Sequence, residues 1–333
     1  IRDLGGRDNA FTSWDYTAYF QQLPVSALET AMAMEAERMR GLNPPLDHTL
    51  SERDVVVEER KQVLDSNPMA RLSEQMRYAL YTNHPYGRPI IGWMHEMREL
   101  NWDKAKAFYD QYYRPDNAIL ILMGDFTAQQ GFDWAAQYYG GLENPSTPLE
   151  RKTFSIPETQ VVRHLSLTDP TVRQPVWFAK GLVPSLVEDE GTAMALSVLA
   201  EWLGGQDGPL YQSFVVEQKL ATAISFSYSP LNRGTADWSV GVWPAQGVRP
   251  DQLNEALSVF LNGLEMDEET RQRMVTRIQD AAVWERDSLI GPAMTIGHIL
   301  KAGGTLRHAE YWPYLVEQVT TDQVNQAVQT ILV

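Results

Sequence analysis

Between residues 140 and 152 the chain collects Gly, Asn, Pro, Ser and Thr with few apolar side chains. A stretch this poor in buriable surface cannot run through a hydrophobic core. It divides the 333 residues into two parts, each long enough to close a core of its own. The sequence therefore predicts a first domain over residues 1–145, a linker over 146–160 and a second domain over 161–333.

Within the first part, residues 9–22 mix Thr, Tyr, Phe and Trp in partial alternation, which predicts a strand running into a turn at Pro24. Helical spacing follows over 26–39, ending before Asn43-Pro44-Pro45, and again from about Ser51 to Leu64, with Asn67-Pro68 as a break or restart. Residues 69–81, 101–112 and 128–139 read as further helices, and 84–89 as a loop. The aliphatic run 118–123, closed by Gly124-Asp125, reads as a buried strand.

The second part predicts strands over 161–167, 175–182, 223–228 and 238–243. Helices are expected over 188–203, 250–263, 268–289, 292–300 and 321–332. Leu100-Asn101-Trp102-Asp103 and Val319-Thr320-Thr321-Asp322 each lead into an amphipathic helix, a weak internal repeat. In the first half the next element is a strand, and a matching terminal strand is expected to be cut off after Val333. The fold class expected is α+β, with two homologous domains, each a mainly antiparallel sheet covered by helices on one face.

Twenty-eight Lys and Arg against 43 Asp and Glu give a formal charge of -15, and no basic run stands out. Such a surface repels phosphates, which argues against nucleic acid and anionic membranes as partners. The longest aliphatic run is far shorter than the roughly 20 residues a membrane-spanning helix needs, so no membrane insertion is expected. Zero cysteines remove disulfides, thiolate metal sites and cysteine nucleophiles. The chain begins Ile1-Arg2-Asp3 without a methionine or apolar leader, from which a missing upstream piece is expected.

Read as a helix, Glu52, Val55, Val56, Glu59 and Val63 share one face. A carboxylate among valines is costly unless a cation meets it, so Glu59 is expected to face either an arginine or a metal. Glu58 turns to the solvated side with Arg60 and Lys61. None of the six histidines stands four residues from another, so no two-histidine helical zinc site is present. His95-Glu96 and His84 read as surface or loop residues.

Taken in order, Gly5-Gly6-Arg7-Asp8-Asn9-Ala10-Phe11-Thr12, Glu52 through Glu59, His84-Pro85-Tyr86-Gly87, Gly92 and Tyr113-Arg114-Pro115-Asp116-Asn117 resemble the pitrilysin/insulinase family of zinc metallopeptidases, in its bacterial processing-peptidase-like form. The resemblance covers nearly the whole chain and is denser in the first half. It implies two similar domains that clamp an extended or unfolded peptide, and zinc-dependent hydrolysis of that peptide. It also implies Glu59 as a zinc ligand, Glu52 as an acidic residue behind the ligands, and Asn9 and Ala10 on an edge strand that holds substrate.

The family's inverted His-x-x-Glu-His helix, which carries two more ligands and the general base, would lie about twenty residues before Ile1. The chain as given is therefore expected to be inactive alone. Where relatives carry an Arg and a Tyr that hold substrate, Val216 and Ala223 stand here, so a homologous partner subunit is expected to supply that pair. By analogy with exported relatives, a periplasmic location is expected. The alternatives are a non-catalytic binding or scaffolding subunit of the same family, and an unrelated peptide-binding protein in which Glu59 pairs with an arginine.

Overall fold

The computed structural model describes residues 1–152, 154–157 and 161–331. Linker positions 153 and 158–160, and Leu332 and Val333, the first of which ends the expected C-terminal helix, lie outside these. The chain forms two compact units, residues 1–159 and 160–333.

Unit 1 opens with a hairpin, β1 (Arg7–Thr12) paired antiparallel with β2 (Thr17–Gln22) in the register Ala10 to Tyr19. The single strand expected over 9–22 is thus two strands, because Ser13-Trp14-Asp15-Tyr16 closes a turn in which Ser13 N donates to Tyr16 O at 2.8 Å. Helices α1 (Leu28–Gly41), α2 (Leu46–Asp65) and α3 (Pro68–Leu80) follow, then the single turn α4 (Met94–Met97), α5 (Trp102–Tyr112) and α6 (Ala128–Tyr139). The boundary between α2 and α3 is set by local chemistry. Asn67 Oδ1 accepts from Ala70 N at 3.2 Å, and Pro68 occupies the first helical position, where no N–H is needed. Asn101 caps α5 in the same way through Lys104 N.

Unit 2 is built on β3 (Trp177–Val183), α7 (Glu190–Gly204), the short turn α8 (Pro209–Tyr211), β4 (Ala221–Tyr228) and β5 (Ala236–Pro244). Helices α9 (Pro250–Asn262), α10 (Glu268–Arg286), α11 (Gly291–Lys301), α12 (Leu306–Leu315) and α13 (Thr321–Thr330) complete it. The antiparallel sheet has the order β3-β5-β4. Its inner face carries Phe226, Trp238, Val240 and Val242 into one hydrophobic cluster with Leu196, Leu199 and Leu203 of α7, Leu253 and Leu257 of α9, and Val324 and Val328 of α13. The outer face carries Ser225, Ser227, Ser239 and the Lys180–Asp237 pair. A mixed fold with helices on one face of an antiparallel sheet is therefore what the residues build.

From each hairpin onward the two units run in the same order. After β1–β2 come α1, α2, α3, α4 and α5; after β4–β5 come α9, α10, α11, α12 and α13. The repeat noted around Asn101 and Thr320 falls at the same place in both, each side chain capping the helix that follows.

Two expected strands do not form among the described residues. Residues 118–123 pair with no described strand, and Ile119, Leu120 and Met123 are about half exposed; 161–167 are likewise exposed and pair with no described strand. An apolar run becomes a buried strand only when a sheet edge and a covering layer exist for it, and among the described residues none meets either run. Helix α12 was not legible, since Pro313 lies inside it and reads as a breaker.

One ion-paired carboxylate ties α10 to α13. Glu268 accepts from Arg271 Nη2 at 2.6 Å and from Thr321 Oγ1 at 2.5 Å, and these bonds hold its carboxyl down at about 2 against an ordinary 4.5. A depressed folded-state value means stabilisation that is present above pH 4.5 and lost as pH falls toward 2. Glu268→Gln is expected to lower the denaturation midpoint at pH 7, with the gap to wild type closing between pH 4.5 and 2. A gap that stays constant across that window contradicts the assignment.

Candidate functional site

Helix α2 presents two different faces. The covered one runs through Arg53, Val57, Arg60 and Leu64 toward α3, α4 and α5. At its centre Arg60, 5% exposed, donates from Nη1 and Nη2 to the two carboxylate oxygens of Glu74 on α3, at 2.9 and 3.0 Å. The guanidinium also lies 5.9 Å from the ring of Trp93. The opposite face carries Glu52, Val55, Glu59 and Val63, and it is exposed: Val55 at 57% and Val63 at 48%.

This corrects the inward orientation expected for Glu59. Val55 and Val63 beside it are themselves open to solvent, while Val56 is half-buried, so the carboxylate is not enclosed among valines. Glu59 makes no ion pair among the described residues; of the two arginines of this helix, Arg60 is spent on Glu74 and Arg53 on Asp54. Glu58 stands on the solvated side as expected, bonded to Lys61 Nζ at 2.6 Å. The Arg60–Glu74 pair was missed because it spans fourteen residues and two helices. The available signal was an arginine in the middle of the stripe 53, 57, 60, 64.

Asn9 and Ala10 lie exposed on β1, which pairs only with β2 among the described residues. Ala10 N donates to the amide oxygen of Asn9 at 2.8 Å, so the Asn9 side chain occupies one backbone donor of its own strand. In unit 2, Val216 is half exposed in the π-helical turn Gln212–Glu217, and Ala223 lies on β4. The side chain nearest to Ala223 in sequence with hydrogen-bonding capacity is Thr222, which accepts from Gln174 Nε2 at 3.0 Å.

The histidines are scattered. His84 Nδ1 accepts from Tyr86 N at 3.1 Å beside the Tyr86 ring, and His308 bonds Glu190 at 2.7 Å. Among the described residues no three of His, Asp or Glu converge to hold a metal. The donor set on α2 fits one position of a tetrahedral zinc, a carboxylate oxygen, and leaves the other positions to ligands these residues do not provide.

Residues 99–270 match the family model described as Peptidase M16 inactive domain, and residues 1–93 match Insulinase (Peptidase family M16). The chain belongs to the M16 peptidase family. It is 29% identical over 282 residues to a zinc protease, PqqE, of Helicobacter pylori, a match covering 82% of this chain and 62% of that protein. An uncharacterized zinc protease of Streptomyces coelicolor, SCO5738, is 24% identical over 271 residues, 80% of this chain and 57% of that one. The chain thus spans about three fifths of the length of these M16 relatives.

Among solved structures, a protease from Helicobacter pylori superposes with a TM-score of 0.88 at 23% identity, over 98% of this chain and 80% of that one. The first half of the periplasmic protease PqqL from Escherichia coli gives 0.78 at 17% identity, over 97% and 72%. These likenesses establish the M16 fold. No helix among the described residues is long and apolar enough to cross a membrane.

Proposed function

We propose that this M16 chain is part of a zinc-dependent endopeptidase acting on extended or unfolded peptides, with Glu59 as one zinc ligand and the two histidines and general base supplied from outside these 333 residues. The observation that carries this reading is the exposed Glu52–Val55–Glu59–Val63 face of α2. Unit 2 supplies the physical precedent. There α10, which holds the same place in the order of elements, buries Met274, Val275, Ile278 and Ala282, and it packs against α7, the helix that precedes the hairpin. A helix preceding β1 would cover α2 likewise and bring its side chains to Glu59.

Bound zinc would supply Lewis-acid polarisation and a water of lowered pKa. The residues present do the holding. Glu59 offers its carboxylate, and Glu52, two turns earlier on the same face, orients or polarises the ligands opposite. The free edge of β1 accepts an extended peptide by backbone pairing, for which Asn9 turns its amide from Ala10 N to the substrate. Val216 and Ala223 bring no hydrogen-bonding side chain, which supports a homologous partner subunit as the source of an Arg/Tyr pair. A periplasmic location accords with the E. coli structural neighbour.

A second reading, a non-catalytic peptide-binding subunit, is favoured by the match of residues 99–270 to the family's inactive domain. Zinc titration separates the two. The 333 residues alone are expected to bind zinc only weakly, while the complete polypeptide binds one equivalent tightly and, with its partner, hydrolyses an unfolded peptide. A complete polypeptide that binds no zinc while retaining peptide affinity establishes the second reading.

A further inference from the structure

The turn after α5 is spent on the chain that leaves α6. Arg114 is 4% exposed, and its guanidinium is shared between one carboxylate and two carbonyls. Nε and Nη2 donate to the carboxylate of Asp116, Nη1 donates to Thr147 O at 2.8 Å, and Nη2 reaches Pro145 O at 3.5 Å. Asp116 N donates to Asn144 Oδ1 at 2.9 Å. Asn117, its amide fixed by donation to Tyr112 O at 2.9 Å, accepts from Arg151 through its oxygen. Further on, the Phe154 ring stands edge-on to His84 at 5.8 Å.

A buried guanidinium has five donors to satisfy, and here residues 145 and 147 supply backbone acceptors for it. The tethers recur at 144, 145, 147, 151 and 154, along a segment whose composition alone predicts a free linker. The Pro115 ring pre-sets the turn that places the Arg114 and Asn117 side chains and the Asp116 backbone N–H toward it.

We propose that Arg114, Asp116 and Asn117 form a clasp that holds residues 144–151 on unit 1, so that the chain stays bound to this unit as far as Arg151 rather than leaving it at the end of α6. The clasp is a conformational restraint and does not depend on zinc or on the assignment of Glu59. Its effect is on opening: proteolysis tracks the population of an opened segment, and the bonds at 144, 145, 147 and 151 hold that population down.

The test is limited trypsin digestion of the full chain under native conditions. Two release variants are compared with wild type: Arg114→Met, and Asn117→Ala with Asn144→Ala, the latter leaving the Arg114–Asp116 pair in place should the first fail to fold. Trypsin cleavage after Arg151 and Lys152 is expected to rise at least tenfold in the double variant, which frees Arg151 from Asn117. Unchanged cleavage in the double variant overturns the clasp.

Discussion

Glu59→Gln in the complete polypeptide is expected to abolish tight zinc binding while leaving the fold untouched. The substitution keeps the shape of the side chain and removes its charge, and a neutral amide oxygen is a far poorer donor to zinc than a carboxylate. Because Glu59 is exposed and makes no ion pair among the described residues, no described side chain relies on its charge. Surface changes of this kind stay within about 0.5 kcal/mol in stability. The loss in zinc affinity should exceed the roughly 10- to 100-fold seen when a residue behind the ligands is removed, which is the size expected for Glu52→Gln. Competition against a chromophoric chelator reads both, and normal zinc occupancy in Glu59→Gln removes the carboxylate from the metal site whatever the peptidase activity shows.

The same helix shows how far sequence reading reached and where it stopped. Elements set by local chemistry were legible: the Asn67-Pro68 restart, the Asn101 cap, the strand pair 223–228 and 238–243, and the apolar stripe of α9 each rest on residues within one turn or one hairpin. Elements that need a distant partner were not. Residues 118–123 and 161–167 have the composition of buried strands, and whether they become strands depends on a neighbour their own sequence cannot specify. The face of α2 failed for the same reason. Valines at 55 and 63 mark a surface able to be buried, not one that the described residues bury, whereas the covered stripe is marked by two arginines that read as solvent-facing. Glu59, Glu52, Asn9 and Ala10 are candidates through resemblance alone, which draws on an ordered series of short motifs and on none of this geometry.

Arg60→Met is expected to be the most destabilising single change on α2, and the reason separates the two carboxylates on either side of the helix. Removing the guanidinium strands the Glu74 carboxylate, only 13% exposed, without its two donors. Breaking one partner of a buried pair costs about 3–5 kcal/mol, most of it the desolvation of the charge left behind. Replacing both partners, Arg60→Met with Glu74→Leu, removes that stranded charge and should return stability to within about 1 kcal/mol of wild type, since apolar side chains of similar volume replace buried pairs at little or no cost. The contrast is measured by urea denaturation of the single and double variants against Glu74→Leu alone, a double-mutant cycle. If Arg60→Met loses no more than the double variant, the pair is not a buried lock and the covered face of α2 is held by packing with α3, α4 and α5 alone. If the single variant collapses and the double recovers, the loss is the Glu74 charge stranded on the covered face of α2. The solvent-facing direction of Glu52 and Glu59 follows from that cover over Arg53, Val57, Arg60 and Leu64, since on one helix the face that is covered determines the face that is presented.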